Sequence, residues 1–122
     1  MPYVDGFIVP VPKKNIDAYM KISKKCGKIW MEHGALAYRE CVADDVKPGK
    51  WTSFPQSVKL KADEVVVFSW ITYKSRAQRD KINGKVMKDP RLTAIMNPND
   101  PKSMPFDGKR MIYGGFKVSV DL

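Results

Sequence analysis

Residues 64–73 read Glu-Val-Val-Val-Phe-Ser-Trp-Ile-Thr-Tyr, apolar at odd and even positions alike. Side chains on a strand alternate between faces, so a strand written this way needs cover on both sides. Val66, Phe68 and Trp70 fall on one face, and Val65, Val67 and Ile71 on the other. The strand expected over 3–11 repeats the pattern, with Tyr3, Phe7 and Val9 opposed to Val4 and Ile8.

The remaining elements are too few to cover both faces. Pro10 and Pro12 close the first strand, since proline cannot donate to a ladder. Asn15 or Asp17 can then start a helix in which Ile16, Tyr19, Met20, Ser23, Cys26, Ile29, Trp30 and His33 recur at steps of three and four. Gly34 ends it as a C-terminal cap. A second strand is expected over 35–46, a Pro48-Gly49 turn after it, and a short helical turn at 53–57. The third strand covers 65–73. Ser75 and Gln78 form a capping box for a second long helix reaching Met87, and Asp89-Pro90 restarts the chain as a short helix. The stretch 97–105 holds three prolines and reads as loop; 109–120 reads as the last strand, with Gly114-Gly115 marking a bulge or a close backbone approach.

The order β-α-β-β-α-β predicts an α+β, ferredoxin-like fold: a four-stranded antiparallel sheet with both long helices on one face. The second face is left without cover. Each large apolar side chain left wet instead of buried costs about 1.5–3 kcal/mol, so a homodimer through the sheet face, a dimeric α+β barrel, is expected.

A chain of 122 residues suits one domain, 1–122, that buries a core without metal or disulfide staples. No apolar run approaches the roughly 20 residues that span a bilayer, and the start lacks a secretory pattern, so a cytoplasmic protein without a membrane partner is expected. Cys26 and Cys41 sit on different elements without metal-ligand spacing and read as reduced thiols. The net charge of +9 attracts anions, but lysines such as Lys13, Lys24, Lys47 and Lys85 are scattered over turns and polar helix faces rather than gathered into a patch.

Several segments carry a family resemblance: Tyr3–Phe7, Gly34-Ala35-Leu36, Glu40-Cys41, Val66–Ile71, Asp89-Pro90-Arg91 and above all the block from Met104 to Phe116. In these the chain resembles the bacterial domain-of-unknown-function family typified by YbaA, over nearly its whole length. The resemblance implies the dimeric α+β barrel already reached from the strand pattern. It brings no catalytic residues. Superfamily relatives include cofactor-free monooxygenases, haem-degrading enzymes and isomerase-like proteins, so the fold alone does not fix an activity.

The candidate site residues come from chemistry. His33 is the only histidine; at a helix end it serves as cap or packing residue, or else as a general base or weak haem ligand at a cavity rim. Asp5 and Glu40 are carboxylates within apolar strands and need solvent or a partner, for which Arg39 and Arg110 are the candidates. The block Met104–Arg110 gathers Phe106, Asp107 and Arg110, with Tyr113 just beyond, into a rim suited to an anion or carbonyl. Trp70 is core or a stacking platform. The expectation is therefore a small-molecule cavity between sheet and helices, with Asp107, His33 or Asp5 as acid or base and Glu40, Trp70, Phe106, Arg110 and Tyr113 as ligand-binding groups. No metal and no cofactor is implied, because Gly-rich phosphate loops, zinc spacings and activated thiols are absent. If catalytic, the reaction would be proton abstraction or cofactor-free oxygen chemistry on a small aromatic or carbonyl metabolite. A non-catalytic regulatory or stress-related dimer is the competing reading. RNA binding is disfavoured: the glycine- and phenylalanine-rich signature lies on the fourth strand instead of the third, and a covered sheet hides the stacking surface.

Overall fold

The computed structural model describes residues 1–96 and 104–122. The chain forms β1 (Tyr3–Pro12), α1 (Ile16–Glu32), β2 (Ala37–Val42), a single turn α2 (Phe54–Ser57), β3 (Glu64–Tyr73), α3 (Arg76–Met87), α4 (Pro90–Met96) and β4 (Ile112–Lys117). The four strands make one antiparallel sheet in the order β2-β3-β1-β4. This is the α+β, ferredoxin-like arrangement expected. The two long apolar strands, β1 and β3, take the centre and leave the shorter β2 and β4 to the edges, with α1 carrying the chain from β1 to β2.

Local chemistry explains the element ends. Ser75 Oγ accepts the backbone N–H of Gln78 at the start of α3, and Ser53 does the same for Gln56 in α2. Gly34 takes φ 115°, the left-handed conformation that closes α1. Asn15 does not cap α1; its side-chain amide donates to the Pro105 carbonyl, 3.1 Å away. β2 runs only from Ala37 to Val42, and β4 starts only at Ile112, where the 3-10 turn Gly108–Arg110 has ended. The two edge strands are therefore shorter than the apolar patterning suggested. Most of the proline-rich loop expectation, residues 97–103, lies outside the described residues.

Odd-numbered positions of β1 and β3 face the helices. Tyr3, Ile71 and Tyr73 pack with Ile29 of α1, Ile82 and Val86 of α3 and Leu92 of α4, while Val9, Val11 and Val67 pack with Tyr19. Gly114-Gly115 is not a bulge: Gly6 pairs with Gly114 and Asp5 with Gly115 in unbroken register. Nor does another backbone approach it closely: a Cβ on Gly115 would lie 2.4 Å from the Tyr3 hydroxyl, so the missing side chain makes room for a tyrosine.

Even-numbered positions face the other way, and there the cover is incomplete. The loop after β2 and α2 fold over one end, burying Val66 and setting Phe54 edge-on to Phe68, with ring centroids 5.9 Å apart. Further along, Phe68 is 43% exposed, Ile112 42% and Phe116 64%. No helix among the described residues is long and apolar enough to cross a membrane.

Candidate functional site

Between the helix-facing side of the sheet and α1 and α3 lies a cavity of about 540 Å³, a size that suits a small organic ligand. Its floor follows from strand register. One row across the sheet reads Glu40, Ser69, Phe7, Tyr113, from β2, β3, β1 and β4; the next reads Tyr38, Ile71, Asp5, Gly115. α1 contributes Tyr19, Ile22, Ser23, Cys26 and Trp30, and α3 contributes Arg79, Asn83 and Met87. Phe106 closes one side, its ring edge-on to that of Tyr19 at 5.4 Å.

Two polar clusters stand in this otherwise apolar space. The first is built on Asp5, which is buried. Arg79 Nη1 lies 3.5 Å from Oδ1, and the Asn83 amide donates to Oδ2 at 3.4 Å. Asn83 Oδ1 in turn accepts from Trp30 Nε1 at 3.0 Å and from the Tyr73 hydroxyl at 3.1 Å. Two donors on the oxygen and a carboxylate before the nitrogen fix which way the amide points. Burial, and then the charge of Asp5, push the Tyr73 phenol up, so it stays a donor. Arg79 also donates to the Tyr3 hydroxyl at 3.2 Å and lies over its ring. Asp5 Oδ1 nevertheless makes no hydrogen bond.

The second cluster is built on Glu40. Burial pushes its carboxyl above the usual carboxylate range, and the hydroxyls of Tyr19, Ser23 and Ser69 beside it offset part of that push. None of them reaches Oε2, which is buried and has no hydrogen-bond partner among the described residues. The Ser23 hydroxyl is instead bonded to that of Tyr38 at 2.8 Å. Burial, together with the nearby Glu40, raises the Tyr19 and Tyr38 phenols, which therefore remain protonated donors at neutral pH. Cys26 lines the same wall; burial raises its thiol as well, so it is a poor nucleophile.

Of the residues singled out from sequence, Asp5, Glu40, Trp70, Phe106 and Tyr113 line the cavity. Trp70 does so at the strand, while its ring packs 5.5 Å from that of Phe68. Three others lie elsewhere. His33 Nε2 is 2.9 Å from Asp89 Oδ2, joining the end of α1 to the start of α4. Asp107 Oδ1 accepts the Lys109 N–H and so caps the 3-10 turn. Arg110 forms a two-pronged pair with Glu64, at 2.5 and 3.0 Å, and donates to the Val58 and Lys59 carbonyls. The expected pairing of Asp5 or Glu40 with Arg39 or Arg110 is thus corrected: Arg79 takes Asp5, Glu64 takes Arg110, and Arg39 is exposed. No cluster of three metal-ligating side chains occurs among the described residues.

Sequence reasoning missed Arg79 and Asn83, although both recur with Ile82 and Val86 at three- and four-residue steps. A cation and an amide on the buried stripe of a helix were the available signal. Tyr19 and Ser23 lie on the α1 stripe, where three- and four-residue spacing marks them as packing residues and does not reveal their hydroxyls as cavity groups.

Residues 2–108 match a family described as protein of unknown function (DUF1428). Proteins called uncharacterized protein YbaA, from Escherichia coli strain K12 and from Shigella flexneri, are each 50% identical over 121 residues, 99% of either chain. Among solved structures, a NIPSNAP-family protein of unknown function from Agrobacterium tumefaciens superposes with a TM-score of 0.61 at 13% identity, covering 96% of this chain and 87% of its own. A dimeric ferredoxin-like protein from an uncultured marine organism gives 0.54 at 14% identity over 100% of both chains. At such identities the structural likenesses speak for the fold.

Proposed function

The chain belongs to the DUF1428 family of proteins of unknown function, and we propose that it binds a small aromatic or carbonyl metabolite in the cavity, with Glu40 as the group that exchanges a proton with it. One observation carries the reading: a buried carboxylate oxygen without a partner stands on the wall of a cavity of about 540 Å³ that is otherwise mostly apolar. A buried acceptor left unsatisfied costs about 1–3 kcal/mol, which a ligand donor would recover.

A carboxyl raised by burial is suited to act as general base near neutral pH. Glu40 as carboxylate takes a proton from a phenolic oxygen or from a carbon beside a carbonyl and becomes the neutral acid. The electron pair of the broken bond moves onto the substrate oxygen, where the protonated hydroxyl of Tyr19 is available as donor. Return of that proton to another carbon completes an isomerisation with no further reactant. Asp5 is less suited to the role, because Arg79 and Asn83 already hold it.

Two copies joined through the even-numbered sheet face complete this reading. Its support is the exposure of Phe68, Ile112 and Phe116 on one surface, together with the dimeric ferredoxin-like neighbour. The cavity opens on the opposite side of the sheet and needs no residue from the second copy.

The test is a panel of quinols, phenols and enolisable ketones scored by the rise in melting temperature, with Glu40→Gln alongside wild type. A rise with phenols or ketones that is lost in Glu40→Gln supports the assignment. No rise with any compound, or equal rises in both proteins, removes it and leaves the non-catalytic dimer as the better account.

A further inference from the structure

We infer that the ligand is amphiphilic: a phenol or enol head bonded to Glu40, with an apolar substituent that runs over Ser69 and Phe7 and leaves the cavity beside Tyr113. The inference rests on the cavity reading above and extends it from the head group to the rest of the molecule.

Polar and apolar groups are sorted along one row of the sheet. Glu40, Ser69, Phe7 and Tyr113 stand side by side on β2, β3, β1 and β4, and all four line the cavity. At the β2 end the hydroxyls of Tyr19, Ser23 and Ser69 lie beside Glu40, whose Oε2 is the acceptor without a partner. A head with one donor satisfies it. The β1 and β4 half of the row is apolar. Phe7 and Tyr113 stack with their centroids 6.1 Å apart, and Phe7, Phe106 and Met111 pack on one cluster of Val9, Val67 and Tyr19. Asp5, in the next row along β1, is already held by Arg79 and Asn83 and supplies no second anchor.

The same row runs from a closed end to an open one. Glu40 Oε2 is buried, whereas Tyr113 is 70% exposed although it lines the cavity. A head seated at Glu40 therefore points the far side of its ring along Phe7 toward the opening. Volume agrees with this direction. A cavity of about 540 Å³ lies in the range that holds drug-sized ligands, so a lone phenol would leave most of its apolar wall to water. An apolar substituent covers Phe7, Met111 and the exposed ring of Tyr113, and each carbon it buries adds to affinity.

Isothermal titration calorimetry on the intact protein tests this with 4-methylphenol, 4-propylphenol and 4-pentylphenol. Affinity is expected to rise about 2- to 4-fold with each added methylene, the gain of a partly to fully buried carbon. Tyr113→Asp, at the open end, should remove most of that gain and change 4-methylphenol binding little. Phe116→Asp, on the opposite face of the sheet, should leave the gain intact, and Glu40→Gln should weaken all three phenols by a similar factor. The series on wild-type protein stands by itself should a variant fail to fold. A gain that Tyr113→Asp leaves intact, or that Phe116→Asp abolishes, overturns the inference. Glu40-dependent binding of 4-methylphenol with nothing gained from longer chains overturns the amphiphile while leaving the Glu40 reading in place. A gain that Glu40→Gln does not weaken, or no binding of any phenol, overturns both.

Discussion

Two glycines lie inside long helices, and exchanging each for alanine should move stability in opposite directions. Gly84, in α3, is exposed, and a Cβ there meets nothing within 4 Å. Gly84→Ala should stabilise by about 0.5–1 kcal/mol, the difference in helix propensity and unfolded-state freedom. Gly27, in α1, is buried, and a Cβ there would sit 2.7 Å from the Tyr38 ring. Real contacts are never that short, so the ring has to move, and the 2.8 Å bond between the Ser23 and Tyr38 hydroxyls goes with it. Overpacking of about 1–3 kcal/mol and a lost hydrogen bond of about 1 kcal/mol oppose a propensity gain of about 1 kcal/mol. The net expectation for Gly27→Ala is a loss of about 1–3 kcal/mol. In a chain of this length the two variants should differ in melting temperature by on the order of 10 °C. Thermal unfolding followed by far-ultraviolet circular dichroism, with urea midpoints as a second measure, checks this. If Gly27→Ala melts as high as Gly84→Ala, the Tyr38 ring does not rest on the α1 backbone as described, and the Glu40 end of the cavity is shaped differently.

Further expectations follow from the charges and the exposed face. Burial raises the Glu40 carboxyl in the folded state above its usual value of 4.5, so the native protein holds more protons than the unfolded chain just above that pH, and its stability falls as pH rises through that window; Glu40→Gln should flatten the fall in urea midpoints between pH 4 and pH 8, and parallel profiles would count against it. The two-pronged bond from Arg110 holds Glu64 below its usual value, so that pair contributes stability at neutral pH that is lost as pH falls through the folded-state value; Arg110→Met should therefore cost more at pH 7 than at pH 3, and an equal cost at both would refute the pairing. Phe68→Asp should turn a dimer into a monomer in light scattering at micromolar concentration, whereas a wild-type protein that is already monomeric would remove the second copy. The same face should give no salt-dependent gel shift with single-stranded RNA; a shift lost in Phe68→Asp would mark it as a nucleic-acid surface instead.

Much of this fold could be read from periodicity because apolar spacing and backbone punctuation act locally. The doubly apolar strand at 64–73, the Ser75 cap and the Gly34 stop each need only their neighbours in sequence to declare themselves. Edges were harder. Pairing of β4 begins at Ile112, not Lys109, because Asp107 folds the next three residues into a turn, a bond that alternation does not reveal. The site was legible in half. Asp5 and Glu40 stood out as acids among apolar neighbours, and strand register carries both into the cavity. Their surroundings did not stand out, since the choice of Arg79 over Arg110 depends on which helix crosses the sheet at Asp5. Arg110 looked like part of a binding rim because it shares a segment with Phe106, yet its five donors are largely taken up by Glu64 and two backbone carbonyls.

The bond from Trp30 to Asn83 turns the protein into its own detector. The Trp30 indole lines the cavity and donates to the same amide that holds Asp5, so a guest in the cavity alters the electrical environment of a fluorophore on its wall. Trp51, 86% exposed, is a built-in reference already emitting as it does in water. Occupancy should be readable from intrinsic emission of the unlabelled chain, with Trp51→Phe leaving only the two cavity-lining tryptophans, Trp30 and Trp70.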